Sequence, residues 1–176
     1  PDNIAKVRMA YDRYLRVCNA VDLDDMITLP VQLLSENSDV RNRWRSKIHY
    51  LLVDEYQDTN DTQYEMVKLL AGSGSGLMAV GDDDQSIYAW RGARPQNLMR
   101  LESDFPDLTL IKLEQNYRSR GRILKLASHL IENNPRPFVK TLWSELGYGD
   151  AIRVIQSRND IKEAEQVISE IMADRF

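Results

Sequence analysis

One cysteine, Cys18, stands in 176 residues, so no disulfide can close within the chain. A disulfide-stapled secreted module is excluded, and the composition fits a reducing cytoplasm. No apolar stretch reaches the length needed to span a bilayer, and no signal-peptide pattern is visible, so no membrane partner is expected. An excess of basic residues is missing too: 23 Lys and Arg against 27 Asp and Glu leave a formal net charge of −4. Bulk positive charge therefore cannot carry nucleic-acid binding, which would need a local patch or stacking aromatics. His49 and His129 have no partners at metal-ligand spacing. The phosphate-cradling pattern Gly-x-x-x-x-Gly-Lys-Ser/Thr is absent, and the glycine-rich stretch at 72–76 lacks its lysine ending and reads as a turn. There is no internal repeat. The sequence opens on Pro1 rather than Met and reads as a piece of something longer.

What is present suffices for one core, or for one domain and part of a second. Residues 4–20 read as an amphipathic helix, with Ile4, Val7, Tyr11, Tyr14, Leu15 and Cys18 near helical spacing. A second helix is expected over 22–34, with Asp22 as its cap and Pro30 as a kink or restart. A short basic helix over 41–47 carries Trp44. Strands are expected at 48–53, 77–80, 108–113 and 151–156. Between them lie helices at about 60–70, 95–101, 119–133 and 161–172. Residues 134–150 look irregular. Strands alternating with helices predict an α/β protein with a doubly wound parallel sheet.

Chemistry concentrates where the strands end. Ile48 to Val53 runs directly into Asp54-Glu55-Tyr56-Gln57-Asp58-Thr59. A buried parallel strand delivers such carboxylates to the C-terminal edge of a sheet, where α/β proteins keep their ligands. The plain alternative is a strand that ends in a solvated acidic turn. The second strand ends in Gly81-Asp82-Asp83-Asp84-Gln85, followed by Tyr88, Trp90, Arg91 and Gly92. Two aromatics at i and i+2 beside a cation suit base stacking next to a phosphate, and equally suit an ordinary core. Three consecutive aspartates could form a metal-dependent nuclease cluster, although neighbours on an extended chain point apart. The cluster Arg41, Arg43, Arg45 and Lys47 could touch a phosphate backbone or form a solvated helical face. The third strand leads into Glu114-Gln115-Asn116-Tyr117-Arg118-Ser119.

Taken together and in order, these three blocks resemble motifs II, III and IV of superfamily 1 DNA helicases of the UvrD/Rep/PcrA type. The Gly-Asp-Asp-Asp-Gln block and the Ser-Glu-Leu-Gly-Tyr-Gly run at 144–149 resemble the Rep branch most. Val21-Asp22-Leu23-Asp24-Asp25-Met26 is similar to the family's Asp-Phe-Asp-Asp-Leu block, with Leu23 in the aromatic position. The resemblance covers nearly the whole chain. It implies a partial RecA-like core of the P-loop NTPase type, with flanking helices. Residues 1–112 would be the rear of a first core, its leading helices returning from an inserted subdomain, and 113–176 the start of a second.

By the same resemblance the cofactors are ATP and Mg2+. Asp54 would hold the magnesium through ordered waters, with Glu55 beside it, and Glu55 would orient and deprotonate the attacking water. Gln85 would sense the terminal phosphate. Tyr117 would stack on adenine, and Arg118 would reach the terminal phosphate as an arginine finger. Trp90, Tyr88 and Arg91 would contact DNA, Trp90 as the stacking platform. Partners would be single-stranded DNA, duplex junctions and the remainder of the helicase chain, at a cytoplasmic, nucleoid-associated site in DNA replication or repair. The P-loop, the N-terminal glutamine motif and the later motifs with a second arginine finger are missing. The expectation is therefore that this segment alone does not hydrolyse ATP. A non-catalytic module that binds single strands or a partner is the alternative.

Overall fold

A computed structural model describes residues 2–72 and 76–173. The chain divides into two compact units. The first comprises Pro1–Leu110 with Arg136–Phe138, the second Ile111–Pro135 with Val139–Phe176.

The first unit opens with α1 (Asp2–Val17), α2 (Asp25–Glu36) and α3 (Ser38–Arg45). The cap expected at Asp22 is displaced: α2 begins at Asp25 with Asp24 in the N-cap position and no side-chain cap bond, while Asp22 Oδ1 accepts from the Asp25 N–H at 2.8 Å in the turn ahead of it and the Asp22 N–H donates back to Asp25 Oδ2. Pro30 lies inside α2, which runs through it without a restart. Of the basic cluster, Arg41 and Arg45 close helix ends rather than form a plain solvated face. Arg41 Nη1 donates to the Leu34 carbonyl at 2.6 Å, and Arg45 Nε donates to the Leu69 carbonyl at 2.7 Å. Cations there meet carbonyls that the helix itself leaves unpaired.

Two strands, β1 (Tyr50–Val53) and β2 (Gly76–Ala79), pair in parallel, Tyr50 opposite Gly76 and Val53 opposite Ala79. The helix α4 (Asp61–Ala71) connects them. Its start is a capping box: Asn60 accepts from the Gln63 N–H, and the Gln63 side chain accepts from the Asn60 N–H. The expected turn at 72–76 follows α4, but residues 73–75 lie outside the described residues. Alternation along the strands sends Leu51, Val53, Leu77 and Ala79 to one face. There they pack on Tyr56, Tyr64, Val67 and Leu101, the last from α5 (Gln96–Asp104). Tyr50, Leu52 and Met78 on the opposite face are exposed.

The second unit holds α6 (Gly121–Ile131) and α7 (Asp160–Ala173). Leu124 is the buried residue of α6, while Ile123 and Leu130 are exposed. The strands expected at 108–113 and 151–156 do not form. A strand exists through its ladder, and among the described residues neither segment has one. The nearest approach is an isolated bridge between Gln115 and Trp143. Apolar β-formers made those segments look like strands, but periodicity does not supply a partner. What the structure shows is thus a mixed α/β chain with a two-stranded parallel sheet.

Candidate functional site

The end of β1 is shaped by its backbone. Glu55 sits in the left-handed region at φ 50° and ψ 44°, which for a non-glycine residue costs about 1–3 kcal/mol and marks functional positions. A one-turn 3-10 segment, Tyr56–Asp58, follows. The turn is locked by the Asp58 N–H on the Glu55 carbonyl at 2.9 Å and by the Thr59 hydroxyl on the Tyr56 carbonyl at 2.7 Å. Tyr56 is fully buried and meets Tyr64 edge-on with ring centroids 6.3 Å apart. This aromatic anchor drives the chain down into the core immediately after Glu55, leaving the Asp54 and Glu55 side chains outside.

Asp54, Glu55 and Asp58 line one pocket of about 410 Å³ with Thr59 and Gln63. Asp58 Oδ1 is buried there without a hydrogen-bond partner among the described residues. The rest of the lining, Leu51, Val53, Met66, Val67 and Leu70, is apolar, so only the exposed carboxylates of Asp54 and Glu55 offer the hard oxygen donors that suit magnesium, an ion that keeps part of its water shell.

The segment after β2 lies against this turn. The Val80 N–H donates to the Val53 carbonyl at 2.8 Å, and the Tyr56 N–H donates to the Val80 carbonyl at 2.9 Å. The sheet pairing thereby carries on past the strands and brings Gly81 up to Tyr56. A 3-10 turn, Asp83–Gln85, follows. Asp82 organises it, accepting from the Asp84 N–H at 3.2 Å and from Gln85 Nε2 at 2.6 Å. Arg136 pairs with Asp84 at 3.0 Å. The expectation that the three aspartates point apart is corrected: their carboxylate oxygens lie within 4.8 Å of one another, because the segment coils instead of extending. The hydrogen bonds of Asp82 and the ion pair of Asp84 give both a loop-shaping role.

Ala89–Arg91 forms a further 3-10 turn. Tyr88 and Trp90 lie with centroids 6.5 Å apart, and the Arg91 guanidinium lies 5.7 and 5.6 Å from the two rings. Trp90 is 79% exposed, so the core-aromatic alternative fails for it. A tryptophan held in solvent beside a guanidinium offers a stacking face next to a cation.

In the second unit, Asn116 Oδ1 accepts from the Arg118 and Ser119 N–H groups at 2.9 and 2.7 Å, which sets the turn ahead of α6. Tyr117 is 77% exposed, and its hydroxyl donates to Gln115 Oε1. Arg118 is exposed, and its guanidinium makes no ion pair among the described residues.

Three titrating groups sit behind the site. Burial pushes the Tyr56 hydroxyl up to about 12; Arg100 opposes the shift and Asp104 adds to it. Burial and the hydrogen bond to Asp104 raise Tyr64. Asp104 is lowered by the Tyr64 hydroxyl and then by Lys68, whose Nζ lies 3.0 Å away.

The structure adds Gln57 and Asn97, to which the sequence assigned nothing, and gives Thr59, a candidate cap of α4 in the sequence, a different role, since Asn60 takes the cap. Gln57, Thr59 and Asn97 are buried polar residues, and all three join the 54–59 turn to the segment after β2. The Gln57 amide contacts both Glu55 and the Asp82 N–H, at 2.7 and 3.0 Å. The Thr59 carbonyl accepts from the Arg94 N–H at 2.9 Å and from Asn97 Nδ2 at 3.1 Å. A polar side chain amid apolar helix positions was the available signal for Asn97. For Gln57 no signal marked it off from its polar neighbours.

Residues 1–106 match the UvrD/REP helicase N-terminal domain, and residues 111–175 match the UvrD-like helicase C-terminal domain. The chain belongs to the UvrD/REP helicase family. It is 61% identical to the ATP-dependent DNA helicase Rep of Escherichia coli (strain K12), over 94% of this chain and 25% of that protein. The Rep helicase of Salmonella typhimurium (strain LT2) is 60% identical over the same shares. The ATP-dependent DNA helicase PcrA of Leuconostoc citreum is 43% identical over 97% of this chain and 23% of its own length. The chain thus spans about a quarter of the length of the curated relatives it matches. No helix among the described residues is long and apolar enough to cross a membrane.

Proposed function

We propose that this UvrD/REP segment supplies hydrolytic and strand-contacting residues of an ATP-dependent helicase that translocates on single-stranded DNA and unwinds duplex junctions. The β1–α4–β2 unit is read as part of a first RecA-like core within residues 1–112, and residues 113–176 as the start of a second. The observation that carries the reading is one hydrogen-bonded assembly that holds Glu55 and Gln85 together, with the exposed Trp90 five residues further on.

Asp54 and Glu55, with Asp58 in the same pocket, are the residues to hold Mg2+, partly through water. When bound, that ion supplies charge neutralisation at the phosphates. Glu55 orients a water toward the terminal phosphorus of ATP and accepts its proton as the water oxygen bonds to phosphorus and the bridging oxygen departs with ADP. Gln85 donates its amide to a terminal phosphate oxygen. Arg118 places a fixed cation where charge builds during transfer, and Tyr117 offers its exposed ring to adenine. Trp90 stacks on a base, with Tyr88 and Arg91 beside it at the backbone. Work on DNA implies a cytoplasmic, nucleoid-associated location. For the 176-residue chain alone, the missing P-loop favours a second reading, a non-catalytic module that binds single strands.

The test is ATP turnover and oligonucleotide binding by the full-length protein that carries this segment. Glu55→Gln is expected to abolish turnover while sparing nucleotide binding. Trp90→Ala is expected to weaken single-strand binding by about 1–3 kcal/mol. Near-normal turnover in the first variant, or unchanged binding in the second, refutes the assigned role.

A further inference from the structure

We propose that Gln57 is a positioning residue that ties the Glu55 carboxylate to the 81–85 loop, so that the water-orienting group and the phosphate-sensing group move as one. The inference rests on the roles given above to Glu55 and Gln85.

Gln57 is 1% exposed, and its amide is used at both ends. Nε2 donates to Glu55 Oε2 at 2.7 Å, and Oε1 accepts from the Asp82 N–H at 3.0 Å. From Asp82 the path continues through its own carboxylate to Gln85 Nε2 at 2.6 Å. Three hydrogen bonds, running through Gln57 and Asp82, thereby connect the two groups.

The chemistry of the position demands this side chain. One donor must face a carboxylate and one acceptor must face a backbone N–H, and an amide offers both at once. Glutamate would set a second carboxylate against Glu55, methionine would satisfy neither partner, and asparagine is one methylene short. Gly81 shows the same fit from the other side. A Cβ built there would lie 2.8 Å from Gln57 Oε1 and 3.3 Å from Tyr56 Cβ, so a side chain at 81 displaces the carboxamide. Gly81 has no positive φ, so the backbone itself admits alanine.

The link also has a reason to exist. Glu55 is exposed on a left-handed residue, and an exposed glutamate samples several rotamers. Holding Oε2 fixes the carboxylate and leaves Oε1 for the water. At its far end the same segment is pinned, since the Thr59 carbonyl accepts from Arg94 and Asn97. A displacement between residues 82 and 91, the stretch that carries Tyr88 and Trp90, is therefore felt at Gln57 and passed to Glu55.

The experiment uses the full-length protein and two variants that break the link from opposite sides. Gln57→Met keeps the buried volume and removes both hydrogen bonds. Gly81→Ala leaves Gln57 in place and moves its carboxamide. Steady-state ATP turnover is measured with and without a single-stranded oligonucleotide, alongside the thermal midpoint. Loss of a group that orients a catalytic residue typically costs roughly 10- to 100-fold, and that loss is expected in kcat at saturating oligonucleotide, with KM for ATP within about twofold of wild type. The ratio of stimulated to unstimulated turnover is expected to fall in both variants. If Gln57→Met does not fold, Gly81→Ala decides alone. A folded variant with an unchanged stimulation ratio and kcat overturns the inference. A wild-type protein whose turnover does not respond to the oligonucleotide overturns the helicase reading itself, and this inference with it.

Discussion

Asp104 shows what one side chain does behind the site. It accepts from the Tyr64 hydroxyl and pairs with Lys68, and both partners hold its carboxyl below the usual carboxylate value. A folded pKa below the unfolded one means stability that is fully present above the unfolded value and is lost as pH falls through the folded one. Asp104→Asn is therefore expected to lower the thermal midpoint near neutral pH. The gap to wild type should narrow as pH drops below about 4. Thermal melts of the full-length protein and the variant from about pH 7 to about pH 3 read this directly, and a gap independent of pH would contradict it. Legibility at this scale was uneven. Asp54 and Glu55 stand out because a β-forming run ends on them, but that pattern suits a solvated acidic turn equally, and their proposed role comes from the resemblance to the helicase motifs. Gln57 does not stand out, because its role depends on Gly81 and Asp82, which come from the end of another strand.

Among the elements, α5 is held by a polar contact as well as by Leu101. Asn97 on α5 is fully buried and donates to the Thr59 carbonyl, so it joins this helix to the turn that presents Glu55. Asn97→Ala removes one of the two donors to that carbonyl and leaves it the Arg94 N–H, so a loss of about 0.5–1.5 kcal/mol is expected. Chemical denaturation of the full-length protein and the variant measures it; a midpoint unchanged by the substitution would show that water replaces the amide. Helices were well marked in the sequence, since capping signals and apolar periodicity are local. The structure closes α4 with a cap at Asn60, whereas the N-cap of α2 falls at Asp24 rather than at Asp22. Strands at 108–113 and 151–156 failed for the opposite reason: a strand is a statement about a neighbour, and local pattern says nothing of whether one is there. Pro30, expected to kink or restart the helix, does not restart it, since α2 is continuous through it.

For the whole molecule, the absent phosphate loop governs what this chain can do. Backbone amides and a lysine do most of the gripping of a nucleotide's phosphates in enzymes of the P-loop class. The 176-residue chain is accordingly expected to show no ATP turnover with Mg2+, with or without a single-stranded oligonucleotide. A coupled phosphate-release assay tests this, and DNA-stimulated turnover would mean that phosphate binding is achieved by other groups. The exposed faces point the same way: Tyr50, Leu52 and Met78 leave one side of the sheet uncovered, and Ile4, Val7 and Tyr14 do so along α1.

By itself the sequence determined the helices and the β1–α4–β2 succession, because each is encoded in short-range spacing, and its three ordered blocks carried the resemblance to the family. Tertiary structure alone decided that Glu55 is strained and locked, that three aspartates gather on one turn, that Trp90 stands in solvent, and that Gln57 and Asn97 bind two motifs together. Those facts depend on which backbone N–H or carbonyl comes within about 3 Å of a side chain. Such closeness is set by the packing of Tyr56 and Tyr64 and by the pairing of β1 with β2, contacts between residues far apart in the chain.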